Sequence, residues 1–378
     1  MRKIFLLSYM VFLLCVVIFS YVFIDPNLIY LKPYVPGFLA ASQQIKTTLY
    51  VVMIVIFFLF YWGWISLLKK NTLRNSDVIF GIYLTVIILF FSYSAMLSHD
   101  VFNYIATAKT LFFYHENPYV IMPIEFLQDP LLLFMHAANK TALYGPVWLL
   151  LTGVPYLAGL GHFILTFLLF KGMVVVFFLG TIFLLKKMTN DMMSIAFFVF
   201  NPLVVIETLI GNHNDIVMMF FVLLAYMLLR KKNLLLSSFS LLLSVLVKFA
   251  TIFLIPVFLF VWWEGLQGKK MSENHPYYLG LLAMAIIFLL SPLREEIYPW
   301  YAVWLLVFLP FIYKNTLLRS LLIALSFGLL LRYVPYMFLL THFGITPLVK
   351  VLVTFVPIAA VGLYLLAQKY IWSKNTTR

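Results

Sequence analysis

The sequence predicts an all-α fold: a polytopic transmembrane bundle of about twelve spans, with one further re-entrant or interface-lying helix. Three observations carry this. Hydrophobic residues make up 64% of the chain and charged residues 10%, a balance that no soluble domain of this length has. Apolar runs of about 20 residues recur along the chain, each long enough to cross about 30 Å of hydrocarbon as a helix. The runs are continuous and not alternating, so they fit helices, which satisfy their own backbone groups in lipid, and not the strands of a barrel.

The first run, 4–24, follows Arg2 and Lys3. It is too long for the apolar core of a signal peptide and lacks a small-residue cleavage site, so it reads as a retained span. Its Cys15 is the single cysteine, which gives neither a disulfide nor a metal site. Basic residues cluster at run ends: Lys69/Lys70/Arg74, Lys186/Lys187, Arg230/Lys231/Lys232, Lys269/Lys270 and Lys369/Lys374/Arg378. Cytoplasmic loops carry such clusters, so the net charge of +13 points to membrane topology and not to nucleic acid.

With those clusters inside, the spans thread outward and inward in turn. They run 4–24, 48–68, 77–97, 162–185, 191–210 and 215–229, then 233–247, 249–263, 277–293, 300–313, 316–334 and 347–368. The parity closes with both termini cytoplasmic, in one integral membrane domain of residues 1–378. Two spans, within 1–76, precede the one that leads into a large exterior loop, 98–146. Residues 144–160 are apolar but broken by Gly145, Pro146, Gly153, Pro155 and Gly159. A full span there would put Lys186 and Lys187 outside, so a re-entrant or interfacial helix is expected, lining a cavity.

The same thread sorts the scarce acids, thirteen in all. Most face the exterior, so the candidate chemistry collects on the non-cytoplasmic face of a multi-pass protein of the cell membrane. Asp100, within Ser98-His99-Asp100-Val101-Phe102-Asn103-Tyr104, leads. A carboxylate at a span exit can take a proton from an acceptor hydroxyl, or simply cap the helix that follows. His99 beside it can tune that carboxylate or sit at the interface. In Gly211-Asn212-His213-Asn214-Asp215, the residues His213, Asn214 and Asp215 can bind a phosphate or pyrophosphate-linked head group, directly or through a divalent cation. The same five residues also suit a plain turn.

Lys248 and Arg294 are the cations expected to meet an anion on that face, though Lys248 can also snorkel. Tyr104, Asn117, Tyr119, Tyr144, Trp300 and Tyr301 offer walls for a sugar, or interfacial anchors. Lys171 and Glu207 fall inside apolar spans, where ionisable groups are functional by default; a structural pair between them is the alternative. No Walker loop, dinucleotide fingerprint or H-E-x-x-H occurs in a suitable context. Without a cytoplasmic loop of more than about a dozen residues for a nucleotide site, an activated donor has to be lipid-linked.

In order and spacing these segments resemble the C-type (GT-C) multi-span glycosyltransferases, in particular the polyprenol-phosphate-mannose-dependent mannosyltransferases. The pieces are His99-Asp100-Val101-Phe102-Asn103-Tyr104, Asn117-Pro118-Tyr119, Tyr144-Gly145-Pro146-Val147-Trp148, Gly211 to Asp215, Lys248-Phe249 and Pro299-Trp300-Tyr301. The resemblance implies a GT-C-like bundle and an inverting transfer of a hexose, mannose by likeness. It also implies a polyprenyl-phosphate sugar as donor, a glycan or glycolipid hydroxyl as acceptor, and Asp100 as the base. The chain departs from the pattern in its two extra N-terminal spans and in His99, where some relatives carry a second acid. Its last spans, from 316, match no motif. Metal dependence stays open at this point, with a divalent cation as one option. The competing class is a lipid or small-solute transporter, which broken spans with Lys171 and Glu207 also fit.

Overall fold

In a computed structural model describing residues 1–25, 28, 30, 42–267, 274–293 and 296–376, all regular structure is helical. The helices are α1 (Arg2–Ser20), α2 (Gln43–Lys69), α3 (Asn75–Phe90), α4 (Asp100–Phe112), α5 (Pro146–Ala158) and α6 (Phe163–Thr189). Next come α7 (Met192–Val199), α8 (Pro202–Val204), α9 (Asp215–Arg230), α10 (Leu234–Val247), α11 (Ile255–Leu266) and α12 (His275–Leu290). The last five are α13 (Val303–Leu306), α14 (Leu309–Ile312), α15 (Thr316–Leu331), α16 (Val334–Leu339) and α17 (Thr346–Thr376).

Seven described helical segments are long and apolar enough to cross a membrane, or eight if the bent pair Met192–Val199 and Pro202–Ile210 is one span. The threading of about twelve differs for physical reasons. Helices α3 and α9 have 16 residues and α10 has 14, below the usual spanning length. The 300–313 run is broken into short turns around Pro299 and Pro310. Helix α5 has 13 residues, about 20 Å at 1.5 Å per residue, too short to cross.

Three sequence features set the frame. On α10, Ser237, Ser240 and Ser244 each donate a hydrogen bond to a carbonyl of α9, at Ala225, Phe221 and Met218. Small hydroxyl residues at helical spacing let the two backbones approach and replace solvent bonds that lipid cannot supply. Buried Lys171 on α6 donates to the carbonyls of Leu89 and Ser92 and to the Ser92 hydroxyl, closing the C-terminal end of α3, where a helix dipole favours a cation. Lys171 is therefore not paired with Glu207. Finally, α7 ends at Val199, and the Asn201 side chain caps the next turn by accepting from the Leu203 N–H, where the chain bends by 57°.

Beyond that bend, Val205–Ile210 forms a π-helical turn carrying Glu207. Such wide turns cost backbone hydrogen-bond quality and recur at functional sites. The long loop after α4 is held down by side-chain contacts. Lys109 of α4 pairs with Asp129 at 2.8 Å, and Tyr114 stacks on Phe126 with ring centroids 3.7 Å apart.

Candidate active site

Asp100 is the first residue of α4, with its backbone N–H aimed at the Ser98 hydroxyl. Its Oδ2 lies 3.4 Å from Nδ1 of His213. The other ring nitrogen of His213, Nε2, lies 3.2 Å from Oε2 of Glu207. One imidazole thus bridges two carboxylates, and the Trp300 indole stacks on it at 4.0 Å. The Tyr333 hydroxyl donates to the Glu207 carboxylate from behind. The bridge forms because the π-helical turn runs straight into the 211–214 turn. There the His213 N–H bonds to the Glu207 carbonyl at 3.1 Å, and Asn212 takes a left-handed φ of +59°, which asparagine tolerates.

Electrostatics follow from this contact. Burial alone favours the neutral His213 ring, but the two carboxylates outweigh it and raise its pKa to about 9. Burial likewise pushes the Asp100 carboxyl up, yet His213 and the charge of Lys248 outweigh it, and its pKa falls below the ordinary carboxylate value. At neutral pH Asp100 is an anion facing a cation. His99 goes the other way: burial and the neighbouring His136 ring lower it to about 4, so it is neutral.

Asp215, the first residue of α9, sits beside this wall. Its Oδ1 accepts from Lys248 Nζ at 2.8 Å and from the Trp304 indole N–H. The Lys248 ammonium lies 4.7 Å from the centroid of the Tyr301 ring. Lys248 arrives here because it follows α10 directly, and α10 is fixed to α9 by its serines. Gly145 is required alongside. It donates to the Val247 carbonyl at 3.0 Å, and an added Cβ would fall 2.1 Å from the Leu246 carbonyl oxygen.

These groups border a cavity of about 610 Å³, lined by His99, Asp100, Tyr144, Lys248, Trp300 and Tyr301 among others. That volume suits a sugar phosphate or a drug-sized ligand. A model of the alpha-(1->6)-mannopyranosyltransferase N-terminal domain, the MptA/B family, matches residues 12–264. The chain belongs to this family of mannosyltransferases. No curated protein and no solved structure matches it.

The segment matched to the mannopyranosyltransferase domain holds the Asp100, His213, Asp215 and Lys248 wall. Trp300 and the opposite wall come from beyond it. Several expected positions shift. His213, Asn214 and Asp215 are 1% exposed or less and lie one layer behind the lining; carboxylates meet His213, and lysine and indole partners meet Asp215. Tyr104 is buried against the rings of Tyr144 and Trp148 and does not line the cavity. Tyr119 and Asn117 also lie off it. The Tyr119 hydroxyl instead donates to the Tyr144 carbonyl at 2.8 Å, and Asn117 closes the local turn onto the Tyr119 N–H. Arg294 lies outside the described residues.

Sequence reasoning missed the opposite wall. Arg332, at the end of α15, and Lys350, on α17, both pair with Glu296, at 3.1 and 3.2 Å. All three line the cavity. The available signal was weaker than the one that singled out Glu207, because each cation lies near the end of an apolar run, where it can snorkel.

Proposed function

We propose that this protein transfers a mannosyl group from a polyprenyl-phosphate carrier to an acceptor hydroxyl at the non-cytoplasmic face of the membrane. The observation that supports this best is Asp100. It is an ionised carboxylate on the wall of a sugar-sized cavity, fixed by a charged imidazole and flanked by lysine. The acceptor hydroxyl attacks the anomeric carbon, and Asp100 takes its proton. The bond to the lipid phosphate breaks on the opposite side, so the anomeric configuration inverts.

Phosphate is a good leaving group and needs no strong general acid; its negative charge needs a cation. Lys248 on one wall, and Arg332 with Lys350 on the other, supply that field at the cavity. A base of lowered pKa is adequate because the hydroxyl proton becomes acidic only as the new bond forms. His213 holds Asp100 in place and keeps it ionised without touching the sugar.

The test is transfer from a synthetic polyprenyl-phosphate mannose by full-length protein in detergent. Asp100→Asn is expected to lower kcat by about 10²–10⁴-fold with little change in donor KM. Near-normal turnover by this variant would remove Asp100 as base. Product with retained anomeric configuration would overturn the inverting reading.

A further inference from the structure

Away from the Asp100–His213 contact, three metal-ligating side chains converge from separate parts of the chain. Asp25 follows the short helical turn after α1, His99 precedes α4, and His136 lies in the exterior loop. One ligand atom from each lies within 4.8 Å of the other two. The two imidazole rings are 3.7 Å apart, and both histidines line the cavity. In zinc sites the bonds are about 2.0–2.2 Å, which sets ligand atoms about 3.3–3.5 Å apart around a tetrahedron. The cluster is therefore within about 1.5 Å of that arrangement, and exposed His136, on a loop, can close the gap.

We propose that Asp25, His99 and His136 hold one divalent transition-metal ion, zinc by its chemistry, at the edge of the cavity. Two imidazoles and one carboxylate suit zinc. Magnesium and calcium take oxygen ligands almost throughout. Three protein ligands leave a position open, and the two cavity-lining histidines turn that position toward the cavity. The ion ties the N-terminal segment and the exterior loop to the residue before Asp100. It acts on that carboxylate by positioning the backbone that carries it. This site does not depend on the identity of the transferred sugar.

The experiment uses full-length protein in detergent, stripped with a chelator and titrated with Zn²⁺ against a chromophoric competitor. One equivalent per chain is expected. His136→Ala is expected to weaken binding by more than about 100-fold, since even groups that merely support a ligand are worth about 10–100-fold. The exposed loop position leaves the fold intact, which an unchanged gel-filtration profile checks. Asp25→Asn is expected to weaken binding as well. Replacing zinc with cobalt should give the visible spectrum of a four-coordinate site, and His136→Cys should restore binding with an added thiolate charge-transfer band. The site is overturned by uptake of less than one equivalent. It is also overturned if both single-site variants bind zinc like the unmodified protein, or if binding is confined to calcium or magnesium.

Discussion

Asp100 and Asp215 occupy the same local position. Each is an aspartate at the first residue of a helix, in an otherwise apolar chain. Their surroundings divide them. The Asp100 side chain is 22% exposed, borders the cavity, and meets one histidine at 3.4 Å. The Asp215 side chain is 1% exposed, and one of its oxygens accepts from both Lys248 and Trp304. An acid at a helix N-terminus is thus neither a base nor a cap by sequence position alone. What decides is whether a lone pair still faces the substrate space.

The sharpest break of this comparison is a pair of matched substitutions. Asp100→Asn should cost turnover, as above, and lower the thermal midpoint less than Asp215→Asn does, because His213 keeps Glu207 as its partner. Asp215→Asn should cost mainly stability, with a rise in donor KM as Lys248 loosens. It leaves Lys248 beside an uncharged amide in a mostly buried setting. Breaking a buried pair costs about 3–5 kcal/mol, and the partial exposure of Lys248 puts this case at the lower end. Fluorescence-detected gel filtration after heating measures the loss. Equal destabilisation by both variants would erase the distinction.

Much of this was legible because charge is scarce. Against a background of 10% charged residues, Asp100, Glu207, Lys248 and the 211–215 turn stand out one by one. The chain's all-helical, membrane-spanning character follows from composition for the same reason. What could not be read is which of these residues meet. Nothing in the sequence indicates that His213, 113 positions after Asp100, bridges it to Glu207. That contact depends on a 57° bend and a π-helical turn, which arise from packing and not from local propensity. Arg332 and Lys350 escaped because each is a lone cation near the end of an apolar run, where snorkelling explains it equally well. Helices α3, α9 and α10 read as spans in the sequence, yet they have 16, 16 and 14 residues.

The bridging imidazole offers a pH test of the same comparison. The His213 pKa is raised to about 9 from an ordinary value of 6.5. Its stabilising contribution is therefore complete below pH 6.5 and is lost as pH rises through about 9. A shift of this size corresponds to roughly 3 kcal/mol. The thermal midpoint should fall across that window, and His213→Gln should flatten the dependence. Activity should fall over the same range, as Asp100 loses the cation that fixes it. Glu207→Gln removes one of the two carboxylates and should move both transitions to lower pH. A midpoint independent of pH between 6.5 and 9 would mean that the ring is neutral throughout.

The smallest effect sharpens the Asp215 side. Lys248 reaches Asp215 because α10 is tied to α9 by three serine-to-carbonyl bonds, of which Ser240 to Phe221 is the middle one, at 2.8 Å. Hydrogen bonds between membrane helices are worth about 0.6 kcal/mol on average. Ser240→Ala should therefore lower the thermal midpoint only slightly and leave turnover unchanged. The alanine also fits the close helix contact, so no strain is added. Ser244 is different. Its hydroxyl donates to Met218 and also contacts the Thr251 hydroxyl at 2.9 Å, one turn from Lys248. Ser244→Ala should cost more, and it should raise donor KM as the lysine loosens. If the two serines behave alike, α10 is held as a rigid whole by its apolar packing and the serines do not place Lys248. A graded response, small at Ser240 and larger at Ser244, would trace the position of the cation to a bond one turn away.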